Sequence, residues 1–377
     1  MIDRNRREML AMGVAAAAAL LPGKALGGAA PGLDTVAGKT GRRFGTCLGT
    51  RNGFADPGYR ALIASQCGLI VPENELKWGW LKKTPTSLDF EAVDRLLAFA
   101  ESRKLGMRGH NLLWHHPSWM PAWVATYDFG ARPATTAAAM VRDHVTAVCR
   151  RYAGRIHSWD VVNEAVDNHD GTLRETAFSK AMGGPEAVLD LAFRTARETA
   201  PRAQLVYNDY MSFEPGNAPH RDGVLRLLEG FRKRDVPVDA LGVQSHIGPS
   251  APGDRFGSRE EDEWRRFLDH VVAMGFDLLI TELDVSDRYM PADAALRDRA
   301  VADYAKPYLD MMLGYEQLGD VLVWGLSDRY SWLQSRAARA DNLAKRPCPY
   351  DAALRPKMLR TTIESALRAG RAHRSAR

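Results

Sequence analysis

Trp159-Asp160-Val161-Val162-Asn163-Glu164-Ala165 and Leu278-Leu279-Ile280-Thr281-Glu282-Leu283-Asp284-Val285 lie more than a hundred residues apart, and each is an apolar run that stops at a glutamate. A run that is apolar with no polar alternation is a strand buried on both faces, as in a parallel sheet covered by helices. Neither glutamate has a lysine or arginine close by in the sequence to neutralise it. A buried, unpaired acid is costly, so a chain that builds two of them has a use for both.

Working outward, similar runs occur at 44–48, 68–71, 107–114, 156–162, 204–207, 241–246, 277–283 and 321–326. Between them the apolar residues fall at helical spacing, over 91–104, 135–152, 186–199, 222–233, 261–274 and 294–313, with a last helix near 358–367. Strands alternating with helices predict βαβ units, and eight repeats predict one closed (β/α)8 TIM barrel, an α/β fold. The Gly45-Thr46-Cys47-Leu48-Gly49-Thr50 stretch has the wrong spacing for a dinucleotide-binding loop. No Gly-, Pro- or Ser-rich linker divides residues 40–370, which therefore read as one catalytic domain.

The flanks read differently. Arg6-Arg7 opens a basic segment followed by an apolar run from Ala11 to Leu21 and small residues to Ala30, so residues 1–30 read as a twin-arginine-like export signal. That run is about half of the ~20 residues needed to span a bilayer. It predicts an exported protein, periplasmic or extracellular, with no membrane association once the signal is removed. Residues 371–377 read as a frayed basic tail. The formal charge of +5 divides into +2 in residues 1–30 (Arg4, Arg6, Arg7 and Lys24 against Asp3 and Glu8) and 5 − 2 = +3 elsewhere. Basic residues are otherwise interleaved with acids, which argues against nucleic-acid binding. Cys47, Cys67, Cys149 and Cys348 fit no metal or redox spacing, and as many as two disulfides among three connectivities stay open.

Catalytic groups of a barrel come from the C-terminal strand ends. Those ends are dense in polar and aromatic residues: Glu73-Asn74-Glu75-Leu76-Lys77, His110 to His116, Asn163-Glu164, Asn208-Asp209-Tyr210, Gln244-Ser245-His246, Glu282, and Trp324 followed by Trp332. The fourth and seventh strands face each other across an eight-strand ring, so Glu164 and Glu282 can share one mouth. Two such carboxylates are the equipment for glycoside hydrolysis, one protonated to serve the leaving oxygen and the other ionised. His246 is placed to hold Glu282 as an anion, and Asn163 to bond a sugar 2-hydroxyl. Trp78, Trp80, Trp114, Trp119, Trp123, Trp324 and Trp332 supply faces for pyranose rings, with about half of the tryptophans expected in the core. Trp159 is the first of those core candidates. A metal site built from His110, His115 and His116 is disfavoured, because His115 points away from its neighbours in a strand. No metal or cofactor is expected.

The ordered set of motifs resembles the family 10 glycoside hydrolases, endo-β-1,4-xylanases, from about Phe44 to Ala366. The resemblance implies retaining cleavage of xylan by a monomer. Glu164 in Trp-Asp-Val-Val-Asn-Glu-Ala would be the acid/base, and Glu282 in Ile-Thr-Glu-Leu-Asp-Val the nucleophile. It also implies that Glu73, Asn74 and Lys77 bind sugars on the glycone side. His110, Trp114, Asn163, Gln244, His246, Trp324 and Trp332 would line the subsite of the bond being cut, with Tyr210 on the leaving-group side. One departure stands out. The family's usual Trp-His-Ser-Gln-x-Pro-x-Trp is replaced by Trp114-His115-His116-Pro117-Ser118-Trp119-Met120-Pro121-Ala122-Trp123, about two residues longer and without the glutamine.

Overall fold

In the computed structural model the described residues are 31–251, 260–336 and 338–375. The expected export signal lies outside them. Eight parallel strands form the barrel: β1 (Phe44–Leu48), β2 (Leu69–Pro72), β3 (Gly106–Trp114), β4 (Ile156–Asn163), β5 (Gln204–Asp209), β6 (Ala240–Val243), β7 (Asp277–Val285) and β8 (Leu318–Val323). Neighbours pair in sequence order, and the ring closes where Phe44 of β1 meets Val321 of β8. A two-residue strand, His246–Ile247, runs beside Asp284 and Val285 of β7 and continues the line of β6. The (β/α)8 barrel expected from the sequence is the fold.

Most predicted elements fall within a few residues of their expected positions, and the departures have local causes. The sixth run was expected to continue to His246, but Ser245 adopts a positive φ of 62° and breaks the ladder after Val243. The eighth strand begins three residues earlier than expected and ends at Val323, so Trp324 lies beyond it on the loop side. Helix Pro57–Gln66 was missed because only Tyr59 and Ile63 are buried on it, too narrow a stripe to show a period. Its start is nonetheless well signalled: Pro57 sits at the first turn, and Asp56 Oδ1 accepts from the Gly58 and Tyr59 amides at 2.8 and 3.1 Å.

The main apolar core lies between the ring and its helices, and includes Trp159, which is 1 % exposed. Gly109 on β3 makes room for it, since a Cβ there would lie 2.0 Å from the indole. Side chains of alternate residues fill the ring itself. Two smaller clusters, around Val71 and Leu322 and around Val206 and Leu279, accompany a buried Arg108–Asp160 ion pair at 2.6 Å. All four cysteines are free, buried thiols, so no disulfide forms. Over residues 371–375 the basic tail is held rather than frayed: His373 N–H donates to Thr40 O at 2.7 Å, and Ser375 Oγ donates to Asp277 Oδ2 at 2.7 Å.

Candidate active site

The strand ends surround a cleft of about 850 Å³ that brings together Glu73, Asn74, Lys77, His110, Trp114, Glu164, Tyr210, Gln244, His246, Glu282, Trp324 and Trp332. Asn163 lies directly beneath it, bonded to two of the residues around the carboxylates. All thirteen sequence-predicted site residues are therefore at one place.

Glu164 follows the last residue of β4 with a φ of 55°, an unusual backbone for a residue with a Cβ. Its amide is held to Asn208 O at 2.9 Å, which fixes the turn. The carboxyl group receives Trp114 Nε1 on one oxygen and Gln244 Nε2 on the other, both at 2.9 Å. Burial pushes its pKa above the ordinary carboxylate range. The Gln244 and Trp114 bonds oppose that rise, while the charges of Asp209 and Glu282 add to it.

Glu282 sits within β7, which continues past it to Val285, and is not the unpaired acid that the local sequence suggests. Its oxygens meet Asn208 Nδ2 at 2.9 Å and His246 Nε2 at 3.2 Å, with His110 Nδ1 3.9 Å away. Burial favours the neutral acid. The charge of His110 and then the bond and charge of His246 outweigh it, holding the carboxyl well below its ordinary range. Partial burial would lower the pKa of His246, but Asp284 at 3.0 Å and Glu282 raise it well above the usual imidazole range. An imidazolium between two carboxylates is the result. Trp332 Nε1 donates to the other Asp284 oxygen at 2.6 Å and extends this chain to the cleft wall.

Two further residues, to which the sequence assigns no role, hold the site together. Asn208 Nδ2 donates both to Asn163 Oδ1 at 2.8 Å and to Glu282, while its Oδ1 accepts from Thr281 Oγ1 at 2.7 Å. One amide thus ties β4, β5 and β7 together. It fits because Gly242 on β6 has no Cβ, which would lie 2.4 Å from Asn208 Oδ1. Asp160 is the second: it accepts from Arg108 and pairs with His110 Nδ1 at 3.0 Å, setting that ring's orientation. A charged pair on neighbouring strands was its sole sequence signal.

Glu73 accepts from Asn52 Nδ2 at 3.0 Å, and burial raises its pKa. Lys77 donates to Asn74 Oδ1 at 3.0 Å and lies 4.7 Å from the Trp114 ring centroid. Tyr210 OH accepts from Arg174 at 2.9 Å and donates to Asn168 at 3.1 Å. His110 and His116 face the cleft, whereas His115 turns away to Arg174 O at 3.0 Å, and burial lowers its pKa to about 4. Among the described residues no group of three His, Cys, Asp or Glu is arranged to hold a metal ion. Trp78, a candidate sugar platform, is instead a core residue stacked on His144 at 4.0 Å.

Residues 32–366 match the family model for glycosyl hydrolase family 10. The chain belongs to that family. The endo-1,4-beta-xylanase 5 of Pyricularia oryzae is 33% identical over 350 residues, covering 91% of this chain and 80% of that protein. The endo-1,4-beta-xylanase A of Fusarium oxysporum f. sp. lycopersici is 33% identical over 330 residues, covering 85% and 96%. Among solved structures, xylanase 10B of Thermotoga petrophila in complex with xylobiose superposes with a TM-score of 0.78 at 25% identity, covering 90% of this chain and 97% of that one. In this family 10 chain no helix among the described residues is long and apolar enough to cross a membrane.

Proposed function

We propose that this family 10 hydrolase is a retaining endo-1,4-β-xylanase. The observation that carries the reading is the pair of carboxylates in one cleft whose surroundings push them to opposite protonation states. Glu164, protonated, gives its proton to the glycosidic oxygen as that bond breaks. Glu282, ionised, attacks the anomeric carbon and forms a covalent glycosyl-enzyme. Glu164, now a carboxylate, takes a proton from water, which displaces Glu282 and restores both groups. Asn163 Oδ1 is filled by Asn208, which leaves its amide nitrogen for the sugar 2-hydroxyl.

Glu73, Asn74 and Lys77 bind sugars on the glycone side, and Tyr210 contacts the leaving-group side. Xylose over glucose follows from the wall: Trp324 packs edge-on to His110 at 5.3 Å, and Trp332 is pinned by Asp284, so neither yields to a hydroxymethyl group. The xylanase names of the relatives and the xylobiose in the Thermotoga petrophila enzyme support this substrate. The enzyme acts as an exported monomer, without metal or cofactor, with residues 1–30 as its twin-arginine signal.

Proton NMR during hydrolysis of a xylo-oligosaccharide tests the mechanism. The first-formed product is the β-anomer, and Glu282→Gln abolishes turnover; an α-anomer, or near-normal turnover in the variant, overturns it. Faster release of reducing sugar from carboxymethyl cellulose than from xylan would overturn the substrate.

A further inference from the structure

Among the described residues, one cation on the cleft wall has no charged partner. Arg336, exposed and past Trp332, has no carboxylate within ion-pair reach among the described residues, unlike Lys77, which lies in the field of Glu73, Glu164 and Glu282. Its guanidinium carbon lies 5.2 Å from the Trp332 ring centroid and 5.7 Å from that of Trp119. Trp119 comes from the lengthened loop after β3 and is 44% exposed, with its ring stacked 5.0 Å from Trp114. Trp332 comes from the loop after β8. Arg336 therefore reaches aromatic faces from two separate loops, and its backbone carbonyl is anchored by Lys345 Nζ. Ser118 and Ser335 lie on the same wall of the cleft.

A neutral xylose chain gives a guanidinium no charge to meet, and an exposed arginine held over two rings loses side-chain freedom for little gain. A guanidinium whose faces lie on aromatic rings still presents its N–H edge, which matches a carboxylate in a two-bond fork. We propose that Arg336, with Trp119 and Trp332, forms a subsite for an acidic, uronic-acid branch on the glycan, so that the enzyme favours acid-branched over plain chains. This rests on the xylanase reading above and names the decoration that the same cleft selects.

The test compares kcat/KM for a neutral xylo-oligosaccharide and for one of equal length bearing a single uronic acid branch, with wild type, Arg336→Gln and Arg336→Lys. The ratio of acidic to neutral falls about fivefold in Arg336→Gln, as expected for a single partly exposed ion pair. Arg336→Lys keeps part of it. The wild-type ratio shrinks when salt rises from about 0.01 to about 0.15 M, because the screening length drops from ~30 to ~8 Å. A ratio unchanged in Arg336→Gln, or independent of salt in wild type, would mean that Arg336 only braces the two tryptophans. Cleavage of neither substrate by wild type would sink the xylanase reading and this one with it; cleavage of both with an unchanged ratio sinks only this one.

Discussion

Replacing His246 by glutamine removes the imidazolium from between Glu282 and Asp284 while leaving a side chain of similar reach. At the 3.2 Å separation a unit charge pair in an effective dielectric of ~20 is worth about 5 kcal/mol. Much of that is offset, because desolvating the pair costs free energy and Glu282 keeps Asn208 at 2.9 Å and His110 at 3.9 Å. Loss of a nearby opposite charge moves carboxylate pKa values by about 1–3 units, and with those partners retained the lower end applies, about 1–1.5 pH units or ~2 kcal/mol. The sign follows from the proposed role: a nucleophilic Glu282 acts ionised, its pKa is depressed, and losing a cation raises it. The acid limb of kcat/KM, which reports the free enzyme, therefore moves to higher pH. Initial rates on an aryl xylobioside between about pH 1.5 and 8, with brief exposure at the acid end, measure it. A folded His246→Gln enzyme whose acid limb stays within about 0.3 pH units of wild type would refute the claim that His246 sets the nucleophile's charge.

Other substitutions test the remaining parts. Gln244→Leu removes a donor that favours ionised Glu164, so the alkaline limb of kcat/KM moves up by about 0.5–1 pH unit; a downward move would contradict the geometry. Gly109→Ala puts a methyl group 2.0 Å from the Trp159 ring and costs about 1–3 kcal/mol in denaturant unfolding, with near-wild-type stability as the contrary result. Removing residues 371–377 strips the Thr40 and Asp277 contacts and lowers stability by about 1–3 kcal/mol, whereas a truly frayed tail would cost nothing. Prolonged dialysis against a chelator leaves turnover unchanged; a loss restored by a divalent cation would reopen metal chemistry.

The barrel was legible because strands buried on both faces leave continuous apolar runs, and eight of them are hard to mistake. Glu164 and Glu282 were legible for a related reason: each is an acid where the neighbouring pattern calls for an apolar residue. Their partners were not. Trp114 and Gln244 around Glu164, and Asn208 and His246 around Glu282, arrive from other strands, so the local sequence makes a well-bonded acid look isolated. The break at Ser245 was hidden because Val243-Gln244-Ser245-His246 carries neither glycine nor proline, the usual marks of an interrupted strand. Trp78 misled in the opposite direction. Its place in the chain suits a sugar platform, and only packing reveals His144 and Phe178 on its faces.

The shared amide of Asn208 bears on what happens when Glu282, the proposed nucleophile, is deleted. In a Glu282→Gly variant the two positions left by the carboxylate oxygens are each still faced by a donor, Asn208 Nδ2 on one side and His246 Nε2 on the other, with Thr281 holding the Asn208 amide in place. Such a vacancy is a small-anion receptor. On the proposed mechanism, formate or azide occupies it and attacks an activated xylosyl donor from the face assigned to Glu282, so the framework around the carboxylate also equips the crippled enzyme for chemical rescue.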